Sequence, residues 1–340
     1  MLDKVTVVGA GSWGTTVAAI AARSVPTTLW ARRAELAAAV DRSHENPDYL
    51  PGARLPARLR ATASLPEAVR DASLVVMAVP SHGFRAVLEE LAPALEPGTP
   101  VLSLAKGLEA GTHKRMTEVV ADVVPGHVTG VLTGPNLARE IVAGQPAATV
   151  VAMTDPAMAE AVQALLGTET FRVYTNPDVV GCEVAGATKN VLAIAAGISA
   201  GLGLGDSSQA ALITRGLAEL GRLGVALGGH RMTIAGLAGV GDLVATCTSP
   251  LSRNRMVGVE LGRGRRLEEV VSEMRMVAEG VKSARPLVEL AAAHGVEMPI
   301  GEQVVMVLDG AQPAAAVVPA LMARSAKPEF EGLEQRVRTP

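Results

Sequence analysis

Short apolar runs alternate with segments of helical periodicity along the first half of the chain. The runs are four to seven residues long, which is typical of strands buried on both faces of a parallel sheet. They lie at residues 5–8, 27–30, 74–79, 101–105, 128–132, 147–153 and 171–174. This alternation predicts an N-terminal Rossmann-type domain, a doubly wound parallel sheet, over residues 1–180.

The helical period takes over from Asp178, where apolar residues begin to recur three and four positions apart. Further helical patterns cover residues 208–227, 266–294 and 302–323. We therefore expect an all-α domain over residues 181–325 that carries substrate and catalytic groups. Residues 326–340 are polar and predict a frayed tail.

A glycine-rich turn joins the first strand to the first helix. Gly9, Gly11 and Gly14 have the spacing G-x-G-x-x-G. In a dinucleotide site the first glycine permits the sharp turn and the second lets backbone approach a pyrophosphate. The third lets the helix pack closely on the sheet, and the helix N-terminus faces the phosphates. The context predicts such a site; a purely structural tight turn is the alternative.

Two arginines follow the second strand, at the place where an NAD-preferring site carries an acidic residue about 20 residues past the loop. Arg32 and Arg33 would bind a 2′-phosphate that an acid would repel. We expect NADPH as cofactor, with NADH also accepted. Two solvated arginines at a helix start are the alternative.

Residues 43–57 predict a loop, rich in Pro, Asn and Gly. Within it, Tyr49 could stack near the cofactor or anchor the loop by packing. His82 follows a strand and is read as a helix-start residue without chemistry. Lys106 ends another strand, at the carboxyl edge where open α/β sheets bind ligands, and is a candidate functional cation.

Candidate chemistry in the second half centres on a lysine, a carboxylate and an arginine-rich stretch. Lys189 is surrounded at helical spacing by small residues, which leave room for a ligand or for another helix. Residues 236–241 are glycine-rich and predict a flexible turn that leads into Asp242. The polar loop 252–255, Ser-Arg-Asn-Arg, suits a phosphate monoester or is simply solvated.

Composition and charge narrow the function classes. The chain has 340 residues, is 49% hydrophobic and has a net charge of −3, which argues against general nucleic-acid binding. Its two cysteines show neither a metal spacing nor a disulfide framework, so we predict no metal and a reducing, cytoplasmic setting. The uncharged stretch 191–205 is too short and glycine-rich to span a bilayer, so stable membrane insertion is not expected.

Taken together, these motifs resemble the bacterial NAD(P)-dependent glycerol-3-phosphate dehydrogenases over roughly residues 4–325. The resemblance rests on eight segments that occur in the family's order: 9–15, 79–82, 106–109, 134–136, 186–191, 241–243, 252–255 and 277–280. It implies interconversion of dihydroxyacetone phosphate and sn-glycerol 3-phosphate, a small phosphorylated three-carbon substrate, feeding glycerophospholipid synthesis. A homodimer is expected.

The resemblance also implies site residues. Lys189 would be the proton donor and acceptor, oriented by Asp242. Beside the glycines, the cofactor would be bound by Ser12, Trp13, Arg32, Arg33, Tyr49, Lys106, Ala138, Arg253, Val277 and Glu279. The substrate would be held by Lys106, Gly134, Asn136, Lys189, Asp242, Ser252, Arg253 and Asn254. Asn136 departs from the Ser or Thr of many bacterial members.

Two other functions compete with this one. A sugar-nucleotide dehydrogenase shares the Rossmann start and helical second domain but needs a nucleophilic cysteine, for which Cys247 is the candidate. A non-catalytic NADPH-binding regulator would bind the cofactor without turnover.

Overall fold

The computed structural model describes residues 2–274, 277–326 and 328–329. The chain forms two compact units, the first ending at Glu183 and the second beginning at Val184. The predicted tail, residues 326–340, lies outside the described residues except for 326, 328 and 329.

The first unit is built on an eight-stranded sheet and a separate two-stranded hairpin. The sheet has the strand order β10-β9-β8-β7-β6-β1-β2-β5, and β3 pairs with β4 in the hairpin. The strands are β1 (Val5–Val8), β2 (Thr27–Trp30), β3 (Glu45–Asn46), β4 (Leu50–Arg54), β5 (Leu59–Thr62), β6 (Leu74–Met77), β7 (Val101–Ser103), β8 (Thr129–Thr133), β9 (Ala147–Met153) and β10 (Phe171–Asn176).

Seven helices accompany these strands along the described part of the first unit. They are α1 (Ser12–Ala21), α2 (Ala34–Ser43), α3 (Leu65–Val69), α4 (Ser81–Leu91), α5 (Met116–Val123), α6 (Ala138–Val142) and α7 (Pro156–Leu166). Every residue of β1 and β6 is buried. One apolar cluster packs α1, α2 and α7 on one face, and a second packs α3, α4 and α5 on the other.

Parallel pairing at the sheet centre brings several strand ends to one edge. Val8, the last residue of β1, pairs with Trp30 and Met77, the last residues of β2 and β6. The glycine loop after β1 and the arginines after β2 therefore leave the sheet from the same edge. This confirms the predicted Rossmann-type class.

The last two strands on one side of the sheet, β9 and β10, run against the others, because β8 and β9 pair antiparallel. The only helix between β8 and β9, α6, has five residues. At a rise of about 1.5 Å per residue it is shorter than the ~17 Å of a five-residue strand. The chain therefore turns back beside β8 instead of crossing to the opposite edge, and the sheet is mixed at this side.

The second unit is helical in its described residues. Its helices are α8 (Val179–Gly201), α9 (Asp206–Ala226), α10 (Arg231–Ala235), α11 (Asp242–Thr248), α12 (Arg253–Gly262), α13 (Leu267–Glu273), α14 (Glu279–Ala293), α15 (Pro299–Leu308) and α16 (Val317–Met322). Helix α8 begins in the first unit, and its residues 181–199 are all buried. It is long and apolar enough to cross a membrane, but 94% of its most apolar window is buried inside the protein, as in a core helix.

Two pairs of glycines let α8 and α12 approach closely. A Cβ on Gly258 would overlap the Ile194 carbonyl oxygen and lie 2.8 Å from Gly197 Cα. A Cβ on Gly262 would lie 2.9 Å from Gly201 Cα. Of the two explanations for small residues around Lys189, helix packing therefore accounts for Gly197.

Three local predictions were wrong. Residues 43–57, predicted as a loop, contain the hairpin β3–β4. The predicted flexible turn at 236–241 is a π-helical turn, Leu237–Gly241, that leads directly into α11. The predicted polar loop 252–255 is the start of α12, with the Ser252 side chain accepting from the Arg255 N–H.

Candidate active site

The glycine loop is shaped by close approach of its own backbone. Gly9 has φ +123°, and a Cβ there would lie 2.8 Å from the Ala78 carbonyl carbon. A Cβ on Gly14 would overlap the Gly9 carbonyl oxygen. These two glycines are required by the fold itself.

Gly11 differs, because a Cβ there would meet no atom of the described chain within 4 Å. It is the N-cap of α1, and no side chain caps that helix. The loop thus leaves open space at a helix N-terminus, which fits the pyrophosphate of a dinucleotide.

Contacts around α1 bring several predicted cofactor residues together. Ser12 Oγ donates to the Tyr49 carbonyl oxygen at 2.8 Å. Thr16 Oγ1 donates to the Ser12 carbonyl and lies 3.5 Å from that of Ala138. Trp13 packs edge-on against Phe171, and its buried Nε1 has no partner among the described residues.

Asn46 ties the hairpin to the glycine loop. It is fully buried, and its Nδ2 donates to the Ala10 carbonyl at 2.9 Å and to Thr15 Oγ1 at 2.8 Å. Its Oδ1 accepts from the Tyr49 N–H. Sequence analysis missed Asn46, because its contacts with Ala10 and Thr15 join residues more than 30 positions apart.

The two arginines after β2 differ in their ion pairing. Both are exposed. Arg33 precedes α2 and donates to Asp48, which raises the pKa of its guanidinium. Arg32 forms no ion pair with the residues described. Its guanidinium is therefore held by fewer charged partners than that of Arg33.

Lys106 and Asn136 meet at one carbonyl oxygen. The oxygen of Gly134 accepts from Lys106 Nζ at 2.9 Å and from the Asn136 N–H at 2.7 Å. Gly134 has φ +136°, so its turn favours glycine. Three of the predicted substrate residues are therefore neighbours at the end of β8.

Lys189 lies in a buried polar cluster in the second unit. Its Nζ is 3.0 Å from Asp242 Oδ1 and 2.7 Å from Thr246 Oγ1, which in turn donates to Asp242 Oδ1. The side chains of Lys189 and Asp242 are 8% and 2% exposed. Thr246 was missed by sequence analysis; its i, i+4 spacing from Asp242 would have indicated it once 242–248 was read as helix.

The start of α12 holds both ends of the segment 277–280. Arg253 Nη1 donates to the Val277 carbonyl at 2.6 Å. Asn254 Oδ1 accepts from the Gly280 N–H at 3.0 Å, and its Nδ2 donates to Asn190 Oδ1 at 2.8 Å. Glu279 begins α14 within this segment. The predicted residues 252–254, 277 and 279 are therefore grouped by direct contacts and short sequence separation.

Cys247, the candidate nucleophile of a sugar-nucleotide dehydrogenase, is poorly suited to that role. Cys247 is 1% exposed, and burial raises the pKa of its thiol to about 12. A thiol of this kind stays protonated near neutral pH and is a poor nucleophile.

The fold and these residues define the class of protein: a nicotinamide-dinucleotide oxidoreductase with a Rossmann-type unit followed by a helical one. The family model for the NAD-dependent glycerol-3-phosphate dehydrogenase N-terminus matches residues 4–159, and that for the C-terminus matches residues 178–319. The chain belongs to the NAD-dependent glycerol-3-phosphate dehydrogenase family.

Individual relatives agree with the family match. A glycerol-3-phosphate dehydrogenase of Sphingopyxis alaskensis, specified for NAD(P)+, is 56% identical and covers 95% of this chain and 97% of its own. One from Thermobifida fusca is 53% identical over 98% of this chain and all of the relative. The crystal structure of glycerol-3-phosphate dehydrogenase from Coxiella burnetii superposes with a TM-score of 0.92 at 36% identity, covering 95% and 99%.

Proposed function

We propose that this chain interconverts dihydroxyacetone phosphate and sn-glycerol 3-phosphate, using NADPH or NADH, and so supplies glycerophospholipid synthesis. The observation that carries the mechanism is the buried cluster of Lys189, Asp242 and Thr246. A buried ammonium held by a carboxylate is suited to stabilise a developing alkoxide and then give it a proton.

When bound, the reduced nicotinamide supplies the hydride that converts the C2 ketone to the alcohol. Lys189 provides the proton for the C2 oxygen and takes it back in the reverse direction. Asp242 stabilises the ammonium form and, with Thr246, fixes the direction of the lysine side chain. These contacts hold the acid in place before substrate arrives, which reduces the reorganisation needed in the transition state.

The proposed substrate residues form two groups, one for each end of the substrate. Ser252, Arg253 and Asn254 would bind the phosphate at the N-terminus of the ten-residue helix α12, where N–H groups and the helix dipole favour an anion. Lys106, Gly134 and Asn136 would hold the other end of the molecule. Remote phosphate binding then positions C2 for reaction.

The other proposed contacts are with the cofactor. The backbone at Gly9, Gly11 and Gly14, with Ser12 and Trp13, would hold the pyrophosphate, and Arg32 and Arg33 the 2′-phosphate. Tyr49, Lys106, Ala138, Arg253, Val277 and Glu279 would complete the site. Residues 1–180 would then provide most of the contacts to the dinucleotide, and residues 181–325 would carry the proton donor.

Assembly as a homodimer and a cytoplasmic location are also part of the proposal. We expect a homodimer, which sedimentation equilibrium tests directly. A cytoplasmic location fits two free, buried cysteines, Cys182 and Cys247.

The test is the change in nicotinamide absorbance when dihydroxyacetone phosphate is added with each cofactor in turn. We expect Lys189→Ala to lower kcat by about 10²- to 10⁴-fold, the usual contribution of a positioned acid. Lys4→Ala is the matched control, because Lys4 precedes β1 and lies at the opposite edge of the sheet. Near-normal kcat in Lys189→Ala would refute the acid assignment.

A further inference from the structure

One atom of the Asn136 amide lacks a partner in the part of the chain that the structure describes. Asn136 Oδ1 is buried and unpaired, whereas Nδ2 donates to Thr149 Oγ1 at 2.9 Å. A buried carbonyl oxygen without a hydrogen bond is costly, and in a binding site it indicates a ligand that donates.

Thr149 determines which way this amide points. Its hydroxyl donates its single proton to the Thr133 carbonyl oxygen at 2.9 Å. Toward Asn136 the hydroxyl can therefore only accept, so the NH₂ group must face it. A flipped amide would bring two oxygens together with no proton between them. Oδ1 is thus held as an acceptor.

The acceptor belongs to the turn that Lys106, the cation of the proposed substrate site, contacts. Lys106 Nζ and the Asn136 N–H both donate to the Gly134 carbonyl. A Cβ on Gly134 would lie 3.2 Å from Thr149 Cα, so the turn is packed directly on β9. Thr149 itself is fully buried and cannot move away from the amide without disturbing the sheet.

We propose that Asn136 Oδ1 accepts a hydrogen bond from the C1 hydroxyl of the three-carbon substrate and that Thr149 is the positioning residue that fixes the amide. This rests on the proposed function. The C2 ketone has no proton to donate, and the phosphate dianion has none either. The C1 hydroxyl is the one donor in the ketone substrate, and hydride transfer leaves it unchanged.

The test compares dihydroxyacetone phosphate with acetol phosphate, which has a methyl group in place of the hydroxymethyl group. The wild-type enzyme is expected to prefer dihydroxyacetone phosphate in kcat/KM. In Asn136→Ala this preference should fall by about 10- to 100-fold, the cost of an unmade buried hydrogen bond. The fall should come from the hydroxylated substrate alone, with acetol phosphate turned over as before.

Variants of Thr149 separate orientation from simple packing. Thr149→Val releases the amide, and the preference should fall by less than in Asn136→Ala, because a rotated NH₂ group still pairs with a hydroxyl oxygen. Thr149→Ser keeps both hydrogen bonds and should retain the wild-type preference. Thr129→Val is the matched control, since Thr129 Oγ1 on β8 is also buried without a partner among the described residues; its preference should be unchanged.

Two results would overturn the proposal. One is an equal loss for both ketones in Asn136→Ala, which would mean a structural role. The other is a raised KM for NADPH with the substrate preference intact, which would assign the acceptor to the nicotinamide carboxamide. If the wild-type enzyme reduces neither ketone, the proposed function itself fails, and that result is distinct from a lost preference.

Discussion

The ion pair between Lys189 and Asp242 lies almost wholly out of solvent. Removing a buried charge from water costs several kcal/mol, and the partner charge and hydrogen bonds offset that cost. The pair is therefore explained better by the proposed acid chemistry than by stability. Loss of either member should have separable effects on folding and on turnover.

Asp242→Ala should destabilise the protein by about 3–5 kcal/mol, because it leaves the Lys189 ammonium buried without its carboxylate. The double variant Lys189→Met/Asp242→Ala should recover much of that stability while staying inactive. Urea unfolding and steady-state kinetics on the same preparations check both. A double variant less stable than Asp242→Ala would show that the pair is a net stabiliser.

Arg33 and Asp48 form an exposed ion pair, so Asp48 would compete with the cofactor for Arg33 under the proposed assignment of Arg33 to the 2′-phosphate. Asp48→Ala should lower KM for NADPH by about two- to fivefold, a size set by the weakness of exposed pairs. KM for NADH should change less, because NADH lacks the 2′-phosphate. Equal changes in both values would remove Arg33 from the phosphate site.

At the scale of elements, the contact between α8 and α12 depends on four glycines. At these glycines the helix that carries Lys189 lies against the helix that begins with Arg253 by direct backbone contact. Small shifts there would move Lys189, the proposed acid, relative to Arg253. A close-packed contact of this kind has little capacity to absorb added volume.

Gly258→Ala should destabilise the second unit by about 1–3 kcal/mol or more, because its Cβ would overlap the Ile194 carbonyl. Gly83→Ala is the opposite control. It lies in α4, a Cβ there meets no described atom within 4 Å, and alanine is the better helix former by about 1 kcal/mol. Thermal unfolding should move the two variants in opposite directions; a neutral Gly258→Ala would contradict the packing argument.

Sequence reasoning succeeded where a local pattern carries the information. The strand at 27–30 and the strand at 147–153 have the bounds that were predicted. The direction of β9 was not predictable in this way, because an apolar run looks the same in a parallel and an antiparallel pair. The roles of Thr149 and Asn46 depend on partners far along the chain, and no spacing rule reports those.

For the whole molecule, two buried carboxylates link stability to pH. Burial raises the pKa of Glu183, which accepts from Arg115 and Thr117. Burial also raises the pKa of Glu219 to about 7, although its oxygens accept from the Ile300 and Gly301 N–H groups. Both groups bind protons more tightly in the folded protein than in the unfolded chain.

Stability should therefore fall as pH rises. The Glu219 contribution is fully present below its ordinary pKa of 4.5 and is lost as pH passes through about 7. At 1.36 kcal/mol per pKa unit, the loss is about 3 kcal/mol. Urea unfolding between pH 5 and pH 8 measures it, and Glu219→Gln should flatten the dependence. Stability that rises over this range would refute the assignment.

Helix α8 makes the chain difficult to divide into two independent fragments. The boundary between the compact units, at residues 183 and 184, falls inside a continuous helix whose residues 181–199 are all buried. A cut there would open a row of apolar side chains and unpaired peptide groups to water. Fragments made at this point should aggregate instead of folding as separable modules. A recombination point between such enzymes is better placed before Val179, so that the helix is inherited whole.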